Sequence, residues 1–304
     1  MEEMKTEDAS ERIRGKHIWD CRVVAADDLN GYENAVWDLF KRKYDCLLVR
    51  GALSAEVCAG IAAAGRRLPE NEISPVVGGW TFPQIFYDLA GRVEREGAAE
   101  RRQVLREYFE RCQRLSKEYV TYLGTDIAAL AQQWLEAFGG GCKVAVPTGI
   151  GSAGEYAGIT LRSFKGNGQG QLSLQCGNYL QTVHQHFYEH LEGQVDVYDQ
   201  LSFYFMIQKP LGGGEVNLFD LEWEEGQTKA DAAENDQVML PEISVHRVYA
   251  ADAQSLDPHV GDLVIFAAGQ IWHRVEPVLG DRDRMTLGGF AAYSYDKKTI
   301  YHWS

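Results

Sequence analysis

The sequence is poor in the features that mark several large classes of protein. No apolar run approaches the ~18 residues that a membrane span needs. The opening stretch, MEEMKTEDASERIRGKH, is charged throughout and has no apolar signal core. Positive charge is short: 30 lysines and arginines against 44 acidic residues leave a formal net charge of −14. Such a surface repels a phosphate backbone, so no nucleic-acid partner is expected. The six cysteines, at 21, 46, 58, 112, 142 and 176, form no CxxC pair, which argues against a zinc knuckle or a redox dithiol. Without an export signal, reduced thiols in a cytoplasm are the expectation. There is no internal repeat. KGNGQGQ follows a strand without opening a helix, so it does not read as a phosphate loop. Ser54 and Ser173 lack the histidine and acid neighbours of a nucleophile.

What is present is ordinary for a globular chain of 304 residues: 45% hydrophobic and 24% charged. Residues 1–43 read as a polar N-terminal extension with one possible strand at HIWDCRVV. YDCLLVRG then fits a buried strand, and Ser54 is placed to cap the alanine-rich helix that follows. Residues 83–138 are predicted largely helical, because AERRQVLREYFERCQRLSKEYVTYLGTDIAALAQQWLEAF has no proline and repeats apolar residues three and four apart. From 142 the texture changes to short Val-, Ile-, Phe- and Tyr-rich segments punctuated by Gly, Asp and Pro. The expected architecture is an all-β core with added helices (α+β): a double-stranded β-helix, or jelly roll, with a helical layer. It occupies 44–304 as one domain, with a helical insert at 83–138 that forms part of a substrate cover. An acidic loop at 224–237 is expected between strands.

GDLVIFAAGQIWHRVEPVLGDRDRMTLGGF, residues 261–290, carries the chemistry. One strand leads to His273 and a later one carries Arg284. Neighbouring antiparallel strands of a jelly roll can aim both into one mouth. A neutral imidazole there binds a metal, and a guanidinium grips a carboxylate with two prongs. The pair suits a metal together with a dicarboxylic acid.

The segment resembles the C-terminal signature of the iron(II)/2-oxoglutarate-dependent oxygenases. KPLGGGEVNLF, YDCLLVRGALSAEVCAGI and LRSFKGNGQGQLSLQCGN are similar to other elements of that superfamily. The resemblance covers about 44–296 and implies that His273 is an iron ligand. It also implies that Arg284 holds the distal carboxylate of 2-oxoglutarate, assisted by Thr286. The implied activity is oxidation of an unactivated C–H bond in a small, amino-acid-like substrate, consuming iron(II), 2-oxoglutarate and dioxygen. The superfamily's first metal motif is His–x–acid; here Gln175 and Gly177 stand in its place. A glycine at the acid position is similar to the radical halogenases, in which chloride takes the vacated site, so the outcome is hydroxylation or halogenation.

The loss of the first histidine leaves three readings. Gln175 ligates weakly while 2-oxoglutarate completes the chelate. Alternatively, ligands come from VHQHFYEH, where His184 and His186 share a face if extended and His186 and His190 if helical. Used with His273, the extended pair resembles the metal motifs of cupins and implies a metal dioxygenase without 2-oxoglutarate. The third reading is a non-catalytic binding protein of the same fold, without metal. Asp220 and Glu222 are candidates for a replacement carboxylate. Asn178, Tyr179 and Arg162 are candidates for the substrate pocket.

Overall fold

Branched and aromatic side chains pack well on a pleated surface, which is why the Val-, Ile- and Phe-rich segments form strands. The computed structural model describes residues 13–15, 17–151, 153–223 and 252–304. Leu201–Gln208 and Leu263–Phe266 are such segments, paired antiparallel near the middle of the larger sheet. In order, that sheet runs Cys21–Ala25, Cys46–Arg50, Leu263–Phe266, Leu201–Gln208, Arg284–Tyr293, Thr160–Phe164, Gly79–Phe82 and Ser74–Val76. The long Arg284–Tyr293 strand pairs with Thr160–Phe164 through its first half and with Thr299–Trp303 through its second. The smaller sheet runs Ile13–Gly15, Ala253–Leu256, Val216–Glu222, Ile271–Val275 and Leu172–Gln175. The result is the expected jelly roll. Its core includes Phe203, Phe205, Ile265, Leu218 and Leu287, all at most 2% exposed. Truncating one of these phenylalanines to alanine costs about 3–5 kcal/mol.

The helical insert forms as expected, with helices at Ala90–Arg95, Ala98–Ser116, Tyr119–Leu123 and Ile127–Ala137. Ala98–Ser116 buries Val104, Leu105, Tyr108, Phe109, Cys112 and Leu115, the stripe of a 3.6-residue period. Its apolar face joins Phe86, Tyr156, Phe187 and Trp303 in a second core, where Phe86 stacks on Phe187 at 4.0 Å. The Tyr108 hydroxyl donates to the Ser304 carbonyl oxygen at 3.1 Å, tying the helical layer to the end of the chain. Ser54 and Asp126 cap their helices, accepting from the backbone N–H of Val57 and of Ala128 and Ala129.

Two expectations change. The boundary at residue 44 cuts through the fold: Cys21–Ala25 pairs in parallel with Cys46–Arg50, and the helix Ala35–Phe40 buries Ala35, Val36 and Leu39 completely. The polar look of residues 17–43 hides a short strand and a short helix whose few apolar residues all point inward. VHQHFYEH is not extended; Gln185–Glu192 is a helix, held by burial of Phe187, Tyr188 and Leu191 on one face. The acidic stretch 224–237 lies outside the described residues. No helix among the described residues is long and apolar enough to cross a membrane.

Candidate active site

A cavity of about 510 Å³ lies between the two sheets and beneath the helical layer. Gln175, His273 and Val275 of the smaller sheet line one side. Thr160, Arg162, Tyr204, Arg284 and Thr286 of the larger sheet line the other, and Ile85, Tyr87 and Asp88 come from the cover.

His273 and Gln175 are direct cross-strand partners, so their side chains emerge side by side. His273 is 5% exposed. Its Nδ1 lies 2.8 Å from the Ile271 carbonyl oxygen and donates to it, which leaves the Nε2 lone pair turned to the cavity. Burial pushes the imidazole down to about 4, opposed by the bond to Ile271, so it is neutral at pH 7. The Gln175 amide Nε2 stands 3.2 Å from that lone pair and donates to it. Phe266 packs edge-on against the ring at 5.0 Å and fixes its plane.

The position two residues on carries no donor and is tightly packed. Gly177 opens the helix Gly177–Val183, and a Cβ there would lie 2.8 Å from Gln200 Nε2 and 3.0 Å from Gly269 Cα. Neither acidic candidate of the smaller sheet supplies the missing carboxylate. Asp220 is exposed, and Glu222 is exposed and paired with Arg42 at 2.9 Å. Among the described residues no three His, Cys, Asp or Glu side chains converge as a metal site.

The opposite wall is built for anions. Arg284 is 3% exposed, its Nε has no hydrogen-bond partner, and its guanidinium sits 5.4 Å from the centre of the Tyr204 ring. Burial pulls its pKa down; Tyr204, Glu215 and Asp257 act the other way. It forms no ion pair among the described residues, and Asp257 itself is bound to Lys209 at 2.7 Å. A buried, uncompensated guanidinium is costly, and an anion in the cavity removes that cost. Thr286, two residues along the same face, stands in register with Arg162 on the neighbouring strand.

The cavity thus brings together His273, Gln175, Arg284, Thr286, Arg162, Tyr179 and His184. Three sequence candidates fall elsewhere or into a different role. His186 is exposed on the outer face of its helix, so the cupin-like set of His184, His186 and His273 does not assemble. His184 reaches the cavity only from the cover, where its Nε2 meets the Tyr87 hydroxyl at 3.0 Å. Asn178 is 3% exposed and turned away from the cavity. Its amide donates to Asp199 Oδ1 at 2.8 Å and its Oδ1 accepts from the Asp199 N–H at 2.9 Å, holding that residue at φ 60°. Sequence reasoning missed Asp88, which sits in a single 3₁₀ turn, Phe86–Leu89, with no periodicity to reveal its direction.

These side chains fit 2-oxoglutarate and, in its company, iron. The orphaned Arg284 Nε suits the distal carboxylate. Were a metal bound, His273 Nε2 and, after an amide turn, Gln175 Oε1 would be its protein donors.

A family model matches residues 23–304: the carrier-protein-independent halogenase WelO5. The chain belongs to that family. It is therefore a non-haem enzyme of the iron(II)/2-oxoglutarate-dependent oxygenase superfamily, with iron and 2-oxoglutarate as cofactor and cosubstrate. A search of curated protein sequences returns no match. Among solved structures, the fold is similar to an N-substituted L-amino acid dioxygenase from Burkholderia ambifaria AMMD. That match has 15% identity and a TM-score of 0.53, over 88% of this chain and 90% of that one. The same dioxygenase in complex with alpha-KG matches with a TM-score of 0.52 at the same identity and coverage. At this identity the likeness concerns the fold.

Proposed function

We propose that this WelO5-family member oxidises an unactivated C–H bond of a small, amino-acid-like molecule, using dioxygen, and that halogen transfer is the favoured outcome over hydroxylation. One observation carries the reading: a buried arginine with no ion pair among the described residues, Arg284, faces the same cavity as an imidazole whose Nε2 is already oriented and meets the Gln175 amide. Bound iron supplies dioxygen activation, driven by decarboxylation of 2-oxoglutarate to succinate and carbon dioxide. The protein's part is to place and shield. Arg284 and Thr286 orient the cosubstrate through its distal carboxylate. His273, held neutral by burial and steered by the Ile271 carbonyl, presents its lone pair without first losing a proton. Phe203, Phe290 and Ile85 keep the space dry, so a reactive oxidant meets substrate and not water.

Halogen transfer is favoured by the missing acid: Gly177 carries no carboxylate two residues after Gln175, and neither Asp220 nor Glu222 replaces it, so a halide would have that ligand position to take. The test is anaerobic iron loading followed by 2-oxoglutarate titration, watching for the visible charge-transfer band of the chelate. Oxygen is then admitted in the presence of chloride with a panel of amino acids and their N-substituted derivatives, and products are read by mass spectrometry. A band with chlorinated product supports the reading; hydroxylated product alone removes the halogen step; no band removes the reading entirely.

A further inference from the structure

Two charged side chains besides Arg284 line the cavity: Arg162 and Asp88. Arg162 stands in register with Thr286 on one side and Thr81 on the other. It projects from the same face as Arg284, near enough for the two charges to oppose each other. Burial pushes its guanidinium down to about 10, with Asp88 raising it and Arg284 lowering it. Arg162 has no ion pair among the described residues; its nearest aromatic surface is Phe164, whose ring centre lies 5.6 Å away. Asp88 reaches the cavity from the cover, on the 3₁₀ turn that follows the Gly79–Phe82 strand. Burial pushes its carboxyl up to about 6, and Arg162 pulls it the other way.

2-Oxoglutarate cannot use this pair fully. Its distal carboxylate belongs to Arg284, and its 2-oxo-acid end is the chelating end. Asp88 is the opposite charge near Arg162, but the two form no ion pair among the described residues, so a second anion in the cavity would give this guanidinium a partner. Asp88 calls for a cation or a strong donor beside that anion. Thr160 lies two residues before Arg162 on the same face, and its buried Oγ1 has no partner. The remaining wall, with Val76, Ile85, Phe164 and Phe290, is apolar. An amino acid carries the complementary groups, a carboxylate and an ammonium beside an apolar side chain.

We infer that Arg162 and Asp88 form the recognition pair for a zwitterionic substrate, an α-amino acid or its N-alkyl derivative, with the substrate carboxylate at Arg162 and its ammonium at Asp88. Thr160 donates to the same carboxylate. The side chain lies against the apolar wall, where the C–H bond to be oxidised is presented. This inference rests on reading the cavity as a 2-oxoglutarate-dependent active site.

The experiment uses isothermal titration of the full chain loaded anaerobically with Mn(II) and 2-oxoglutarate. The probes are L-leucine, L-phenylalanine and their N-methyl derivatives, each set against the amine and the carboxylic acid that lack one of its two charges. Deleting either charge of a bound probe is expected to weaken binding about tenfold or more. Arg162→Leu is expected to erase the advantage of the amino acid over the amine. Asp88→Asn is expected to erase its advantage over the acid. Both variants should keep wild-type affinity for 2-oxoglutarate, while Arg284→Leu loses it; circular dichroism and a melting curve check that each variant folds. Three results overturn the inference: no probe binds, the singly charged analogues bind as well as the amino acids, or Arg162→Leu loses 2-oxoglutarate as Arg284→Leu does. The last assigns Arg162 to the cosubstrate. If wild type binds no 2-oxoglutarate, the cosubstrate reading fails instead, and the same amino-acid titration on the protein without it still decides the recognition pair.

Discussion

On the smaller-sheet wall of the cavity, one imidazole and one amide meet at 3.2 Å and no carboxylate joins them. On the larger-sheet wall, two guanidiniums face the same space with no ion pair among the described residues. The metal side is thinned and the anion side is generous. The difference teaches where binding energy resides. A single neutral nitrogen and an amide oxygen make a modest site for a divalent ion, whereas a desolvated arginine makes a strong site for a dianion. On the proposed reading, much of the metal's hold comes through the cosubstrate, with Arg284 as its anchor. Gly177 sharpens the contrast, because it brings no side chain that could restore a charge two residues after Gln175.

The asymmetry can be broken at its weakest point first. His273→Ala removes the imidazole that the smaller sheet presents to the cavity, and iron or Mn(II) uptake should fall to background in equilibrium dialysis; retained metal would refute the assignment of the metal side. Next is Arg284→Leu, for which 2-oxoglutarate affinity should drop about a hundredfold, measured by titration, as expected for losing a charge-assisted two-pronged contact. Gln175→His sharpens the comparison from the other side. It should tighten metal binding about tenfold and reduce its dependence on 2-oxoglutarate, because imidazole is the better donor; an unchanged affinity would show that position 175 does not face the metal. The smallest effect belongs to His186→Ala. On an exposed helical face this change should leave metal content untouched and stability within about 0.5 kcal/mol, read from a denaturant curve.

How much of this was readable before folding varies by residue, for physical reasons. His273 and Arg284 lie on strands with strong apolar flanks, so period-two alternation already directs them inward, and they do line one cavity. Gln175 and Gly177 stood out because the strand around them kept its pattern while the donor atoms changed. VHQHFYEH was ambiguous because its histidines suit either periodicity. The choice fell to helix when Phe187, Tyr188 and Leu191 found a common apolar partner in the cover. Asn178 was misplaced because its partner, Asp199, is a left-handed turn residue on another segment. Asp88 gave no signal at all, since a single 3₁₀ turn has no repeat to read.

By itself, the sequence determined the local features: which stretches are strands or helices, which histidine and arginine are buried in them, and that the usual metal donors are missing. These follow from side-chain volume, branching and polarity over windows of a few residues. Only the tertiary structure decided which of these groups meet. It set the amide of Gln175 against His273, packed Gln200 and Gly269 close to Gly177, turned His186 outward and brought Asp88 and Arg162 to one cavity. Those outcomes depend on strand register and layer packing between segments far apart in the chain, and no short window of residues contains them.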